Sequence, residues 1–132
     1  MVLMQISEPG LSSESAISKK LALGIDLGTT NSLIAFKNGK KVSLIGDENG
    51  DALIPSVVHF PENGSVIVGA NAKNELNTDP LNTVSSVKRL IGRGRKDLLN
   101  KSNFFPYKFD LSDDRFLKVE TRKGIFSPVE IS

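Results

Sequence analysis

A carboxylate, a glycine and consecutive hydroxyls lie together in Gly24-Ile25-Asp26-Leu27-Gly28-Thr29-Thr30-Asn31-Ser32. Those residue types on one tight turn can cradle a phosphate. The amides and hydroxyls of Thr29 and Thr30 can point at phosphate oxygens, and Gly28 can take backbone angles closed to other residues and let a ligand come close. Asp26, at the end of the preceding strand, can hold Mg²⁺ directly or through water. Taken as residue types alone, the same string also reads as a polar hairpin loop.

A second stretch, Asn82-Thr83-Val84-Ser85-Ser86-Val87-Lys88-Arg89-Leu90-Ile91-Gly92-Arg93, carries a lysine with chemical potential. Val84, Val87, Leu90 and Ile91 have helical spacing, which predicts one packed face with Lys88 and Arg89 projecting from it. A lysine ammonium is a compact cation suited to stabilising charge on a transferring phosphoryl group or to orienting an attacking water. Because Lys88, Arg89, Arg93, Arg95 and Lys96 crowd together, a solvated basic helix end or a nucleic-acid contact is the competing reading of this segment alone.

Several strands must position these groups. Leu21-Ala22-Leu23-Gly24-Ile25 is short and apolar, and Ser32-Leu33-Ile34-Ala35-Phe36 rises again after the turn, so the polar loop joins a hairpin. Lys41–Ile45 is expected as a third strand beyond a turn at Asn38-Gly39. Val57–Phe60 and Val66–Val68 read as strands around a turn at 61–64, and Ala70–Leu76 as a short helix. Phe105, Tyr107 and Phe109 alternate as a strand would. With Phe104 and Phe116 they are assigned to core packing rather than to base stacking. Ser7–Lys20, polar and broken by Pro9-Gly10, reads as a flexible lead-in, giving a leader over 1–20 and a domain over 21–132.

Other motifs fail on inspection. The acidic loop 46–51 has Ala52 and Val58 where a calcium loop needs glycine and glutamate. Gly92-Arg93-Gly94 has Asp97 at the third glycine position and no leading strand, and no Walker lysine motif occurs. His59 is the single histidine, with no cysteine to join it, and is expected at a half-buried strand position rather than on a metal. In 132 residues, 39% apolar and 24% charged residues describe a globular chain. A net charge of +2 does not indicate electrostatic capture of nucleic acid or membrane. The chain lacks a secretory signal pattern and has no apolar run of bilayer length, so a cytoplasmic location is expected.

The first motif resembles the first phosphate loop of the actin, sugar-kinase and DnaK-type chaperone superfamily, most closely that of the DnaK-type chaperones. Residues 82–93 look like the segment bearing that family's catalytic lysine. The resemblance runs from Leu21 to Ser132 through Ile54-Pro55-Ser56-Val57-Val58, Val68-Gly69 and Pro128-Val129-Glu130-Ile131-Ser132. It implies an α/β, actin-like (ribonuclease H-like) ATPase fold, represented by the opening strands of the first lobe and its peripheral α+β subdomain. It also implies ATP or ADP with Mg²⁺ as ligands, Gly28, Thr29, Thr30 and Asn31 as cofactor-binding residues, Asp26 on the metal and Lys88 as the catalytic residue. The leader Leu3–Gly10 is similar to that of a branch of the family specialised for iron–sulfur cluster assembly. That branch implies a J-domain cochaperone and an iron–sulfur scaffold protein as client. An actin-like filament protein, a superfamily kinase and an inactive gene remnant are the alternatives, and residues 88–93 count against the filament.

Ser127-Pro128-Val129-Glu130 forms a capping box with proline at the first helical position, just before the last residues. The expectation is therefore an N-terminal portion of a longer ATPase chaperone, followed in the intact family by the rest of the nucleotide domain and a peptide-binding domain. Alone, such a chain is expected to bind ATP weakly and to hydrolyse it hardly at all.

Overall fold

The computed structural model describes residues 22–98, 105–112 and 115–132. The expected leader, Leu21 and Phe104 lie outside the described residues. Within them all strand pairing is antiparallel, in three small sheets.

The first sheet is a meander of β1 (Leu23–Leu27), β2 (Asn31–Asn38) and β3 (Lys41–Ile45), with β4 (Ile54–Pro55) added on β2 at the turn end. β1 starts at Leu23 and runs through Asp26 to Leu27, later than expected, because its pairing with β2 continues until Leu27 faces Ser32. At the other end of β2, Asn38 faces Lys41, so the turn residues are Gly39 and Lys40, with Gly39 at φ 61°. Residues opposed across antiparallel strands share a face. One face therefore carries Leu23, Ile25, Ile34, Phe36 and Ile45, and the other Leu33, Ala35, Val42 and Leu44. Both faces are apolar, yet Ile25 is 67%, Val42 64% and Leu44 55% exposed.

In the second sheet β5 (Val57–His59) lies between β6 (Ile67–Val68) and β7 (Thr83–Ser85). The short helix α1 (Ala70–Asn74) follows Gly69, whose φ of 81° makes the corner into it, and ends sooner than the expected Leu76. His59 is buried, and its Nδ1 lies 2.9 Å from the Thr83 hydroxyl on the neighbouring strand. This histidine is thus a satisfied core residue.

The third sheet has β9 (Lys118–Thr121) between β8 (Lys108–Asp110) and β10 (Gly124–Phe126). Among the described residues two further short helices occur, α2 (Arg95–Leu98) and α3 (Pro128–Ile131), with 3-10 turns at Pro80–Asn82 and Val87–Leu90. α3 has the expected capping box: Ser127 Oγ accepts from the Glu130 amide, and Glu130 Oε2 accepts from the Ser127 amide at 2.7 Å. That backbone hydrogen bond holds the Glu130 carboxyl below its usual range.

The main core joins the second and third sheets. Phe60, Val84, Val87, Leu90, Tyr107, Leu117, Val119 and Ile131 pack there, and the Phe60 and Phe126 rings stack at 5.0 Å. Phe105, Tyr107 and Phe109 touch one another with centroids 5.5–5.9 Å apart, as a core role requires. Strand structure starts only at Lys108, and Phe116 is 58% exposed, so that ring does not join the core.

Candidate functional site

The polar turn is Gly28–Asn31, held open by the Leu27–Ser32 pairing at its base. Gly28 is not among the glycines of positive φ, so backbone freedom is not why glycine stands there. Space is the reason: a Cβ at Gly28 would sit 2.1 Å from the Asn31 carbonyl oxygen. The turn doubles back so tightly that no side chain fits. Gly28 and Thr29 are half-buried, whereas Asp26, Thr30 and Asn31 are exposed.

Ser56, on the residue after β4, stitches this turn from below. Its hydroxyl donates to the Gly28 carbonyl at 2.9 Å, and its amide donates to the Thr30 carbonyl at 2.9 Å. Its oxygen also lies 2.9 Å from Ser32 Oγ. Since the Ser56 proton is committed to Gly28, Ser32 supplies the proton of that second contact.

Lys88 reaches the same turn from the second sheet. Its Nζ donates to the Leu27 carbonyl across a separation of 61 residues. The segment that carries it is not the regular helix its spacing predicts. β7 ends at Ser85, Ser86 adopts φ 54° and ψ 27°, and Val87–Leu90 is a 3-10 turn. Ser86 is the only non-glycine residue of positive φ among the described residues. A left-handed serine is an uncommon and strained corner. It lets Val84, Val87 and Leu90 stay buried while Lys88 and Arg89 point outward, and it leaves Ile91 40% exposed. Tyr107, itself buried, donates its phenol to the Ser85 carbonyl just ahead of this corner at 3.2 Å. Burial pushes that phenol well above its ordinary value.

Between the turn and the second sheet lies a cavity of about 210 Å³, lined by Gly28, Thr29, Ser56, Val84, Val87 and Lys88 among others. An ammonium that no carboxylate among the described residues neutralises therefore sits at the rim of a turn carrying hydroxyls. Such a donor set suits an oxyanion. Asp26 precedes Leu27 on β1, paired with Leu33, and is not among the residues lining the cavity. No cluster of three or more His, Cys, Asp or Glu occurs among the described residues, so a cation beside Asp26 would be held with water and ligand oxygens rather than in a protein cage. In the acidic loop, Asp47 Oδ1 accepts from the amides of Asn49 and Asp51 at 2.9 and 3.0 Å, turning that carboxylate onto its own backbone.

All five predicted loop residues and Lys88 thus fall at one end of the meander. Ser56, Ser32 and Ser86 were not predicted as site residues. Their part comes from contacts or torsions that no local pattern announces, although Ser56 follows a proline in an otherwise apolar stretch.

Residues 22–132 match the family described as Hsp70 protein. Over all 132 residues the chain is 47% identical to the chaperone protein HscA homolog of Neisseria meningitidis serogroup B, covering 100% of this chain and 21% of that protein. It is 49% identical to the chaperone protein HscA homolog of Pasteurella multocida and 43% identical to the chaperone protein HscA of Yersinia enterocolitica, with the same coverage of 100% and 21%. The chain spans about a fifth of the length of the curated relatives it matches. These similarities run through residues 1–21, ahead of the point where the family match begins.

Proposed function

The chain belongs to the Hsp70 family, and on that premise we propose that it is the first phosphate-binding segment of an ATP-dependent chaperone acting in iron–sulfur protein maturation. The observation that carries the reading is the contact of Lys88 Nζ with the Leu27 carbonyl, which puts the lysine beside the turn that would hold phosphate. The fold that accompanies this reading is the actin-like ATPase lobe, with β1–β3 as its opening strands and the second and third sheets as the peripheral subdomain.

Gly28, Thr29, Thr30 and Asn31 would hold phosphate oxygens of ATP or ADP. Lys88 would bear on the transferring phosphoryl group or orient the attacking water. Asp26 would hold Mg²⁺ with water between, which fits a lone exposed carboxylate and an ion that keeps several waters. When bound, the metal would neutralise charge developing on the phosphates. Charge stabilisation of this kind needs several preorganised groups at once. The remaining groups would come from the rest of the full-length protein, and the segment alone would turn over little ATP.

The HscA names of the relatives support the iron–sulfur branch, and so does similarity that continues through residues 1–21. A J-domain cochaperone, an iron–sulfur scaffold protein as client and a cytoplasmic location complete the proposal. No helix among the described residues is long and apolar enough to cross a membrane. The test is ATP turnover by the full-length protein with Lys88→Ala. Loss of hydrolysis with retained nucleotide affinity is expected, and unchanged turnover would sink the role given to Lys88. For the branch, the full-length protein should be stimulated by an iron–sulfur scaffold peptide, and indifference to that peptide would refute it.

A further inference from the structure

We propose that Ser56 is a positioning residue that shapes the turn Gly28–Asn31 for phosphate, an inference that rests on the phosphate-binding reading above. Ser56 holds two alternate carbonyls of that turn, Gly28 through its hydroxyl and Thr30 through its amide, each at 2.9 Å. In a trans peptide the N–H points opposite to the carbonyl of the preceding residue. With the Gly28 carbonyl drawn toward Ser56, the Thr29 N–H faces away from it. Thr29 N–H has no backbone acceptor among the described residues. An amide kept free and aimed by a hydrogen bond on its own peptide plane is what an oxyanion needs, because no reorganisation is required when the ligand arrives.

The other features of the site point to the same residue. At Gly28 a Cβ would run into the Asn31 carbonyl oxygen, so the turn that Ser56 holds is closed tightly enough to leave no room for a side chain there. Ser32 hands its proton to Ser56 at 2.9 Å, which leaves the Ser56 hydroxyl one acceptor to serve, the Gly28 carbonyl. Ser56 also lines the cavity that Lys88 borders, yet its hydroxyl is directed to the turn. Removing the hydroxyl would free the Gly28–Thr29 peptide plane without touching Thr29, Lys88 or Asp26.

The experiment measures affinity of the full-length protein for ATP, ADP and adenosine, with Ser56→Ala and Ser56→Thr. Adenosine carries no phosphate and is blind to the turn. Ser56→Ala should weaken ATP and ADP about tenfold, the size of one lost hydrogen bond. It should leave adenosine unchanged, and Ser56→Thr, which keeps the hydroxyl, should restore most of the loss. A parallel loss for all three ligands, or no loss, would overturn the proposal and leave the phosphate-binding reading standing. Failure of the unaltered protein to bind ATP at all would overturn both. Should Ser56→Ala not fold, Ser32→Ala takes its place: a smaller loss confined to ATP and ADP supports the proposal, and an even or absent loss refutes it.

Discussion

Lys88 Nζ donates to the carbonyl oxygen of Leu27, the last residue of β1, and so links the corner after β7 to the start of the polar turn. A carbonyl partner holds an ammonium in place without neutralising it, and the charge stays available to a ligand. Lys88→Arg keeps the charge but substitutes a broad planar fork for a point donor. Hydrolysis by the full-length protein is expected to fall about a hundredfold or more, the usual loss for a misplaced charge-stabilising group. Nucleotide affinity should be retained, and single-turnover kinetics separate the two quantities.

Asp26 is exposed and has no neighbouring carboxylate cluster, so a metal there depends on water as much as on protein. Asp26→Asn should raise the Mg²⁺ concentration needed for nucleotide binding by about tenfold, within the usual range for removing a metal-orienting group. An unchanged Mg²⁺ titration would remove Asp26 from the site.

Two glycines on the same meander separate conformational freedom from space. At Gly39, φ is 61° and nothing stands near a built Cβ, so Gly39→Ala should destabilise by about 1 kcal/mol and leave ATP affinity alone. At Gly28 the obstacle is backbone, and Gly28→Ala should destabilise by about 2 kcal/mol or more and abolish phosphate discrimination. Hydrogen exchange of the β1 and β2 amides, read beside ATP affinity, distinguishes them.

Tyr107 makes a prediction in alkali. Its folded phenol holds the proton more tightly than the unfolded one, because burial disfavours phenolate. The stability it supplies is complete below the ordinary tyrosine range near pH 10 and is lost as the pH rises above it. Phenolate absorbance should therefore lag behind that of a free tyrosine and then rise together with unfolding. Tyr107→Phe should flatten the alkaline decline in stability, and a Tyr107 that titrates like free tyrosine would refute the assignment.

Local signals predicted the local parts of the fold well. Lys41–Ile45 appears as a strand with the expected ends, and Ser127 with Glu130 forms its reciprocal cap, because both depend on neighbours in sequence. Residues 83–91 misled, since spacing of Val84, Val87 and Leu90 by threes is shared by a helix and by a strand that turns sharply into a 3-10 coil. What decides between them is pairing of Thr83–Ser85 with β5, a contact made with residues 57–59. The site was legible as residue types, Gly28 included, but the reason for Gly28 was not: proximity to Asn31 is a property of the closed turn. Ser56 lies 28 residues from its acceptor, and its place in the run Ile54–Val58 did not announce that contact.

The distance along the chain between Leu27 and Lys88 also has a meaning in time. At 5–20 residues per second, the 43 residues from Ile45, the end of β3, to Lys88 take roughly 2–9 s to synthesise. A hairpin closes in microseconds, so β1–β3 would stand complete on the nascent chain, apolar on both faces, long before the strand that presents the lysine has left the ribosome. During those seconds a protein of a chaperone family has the surface of a client.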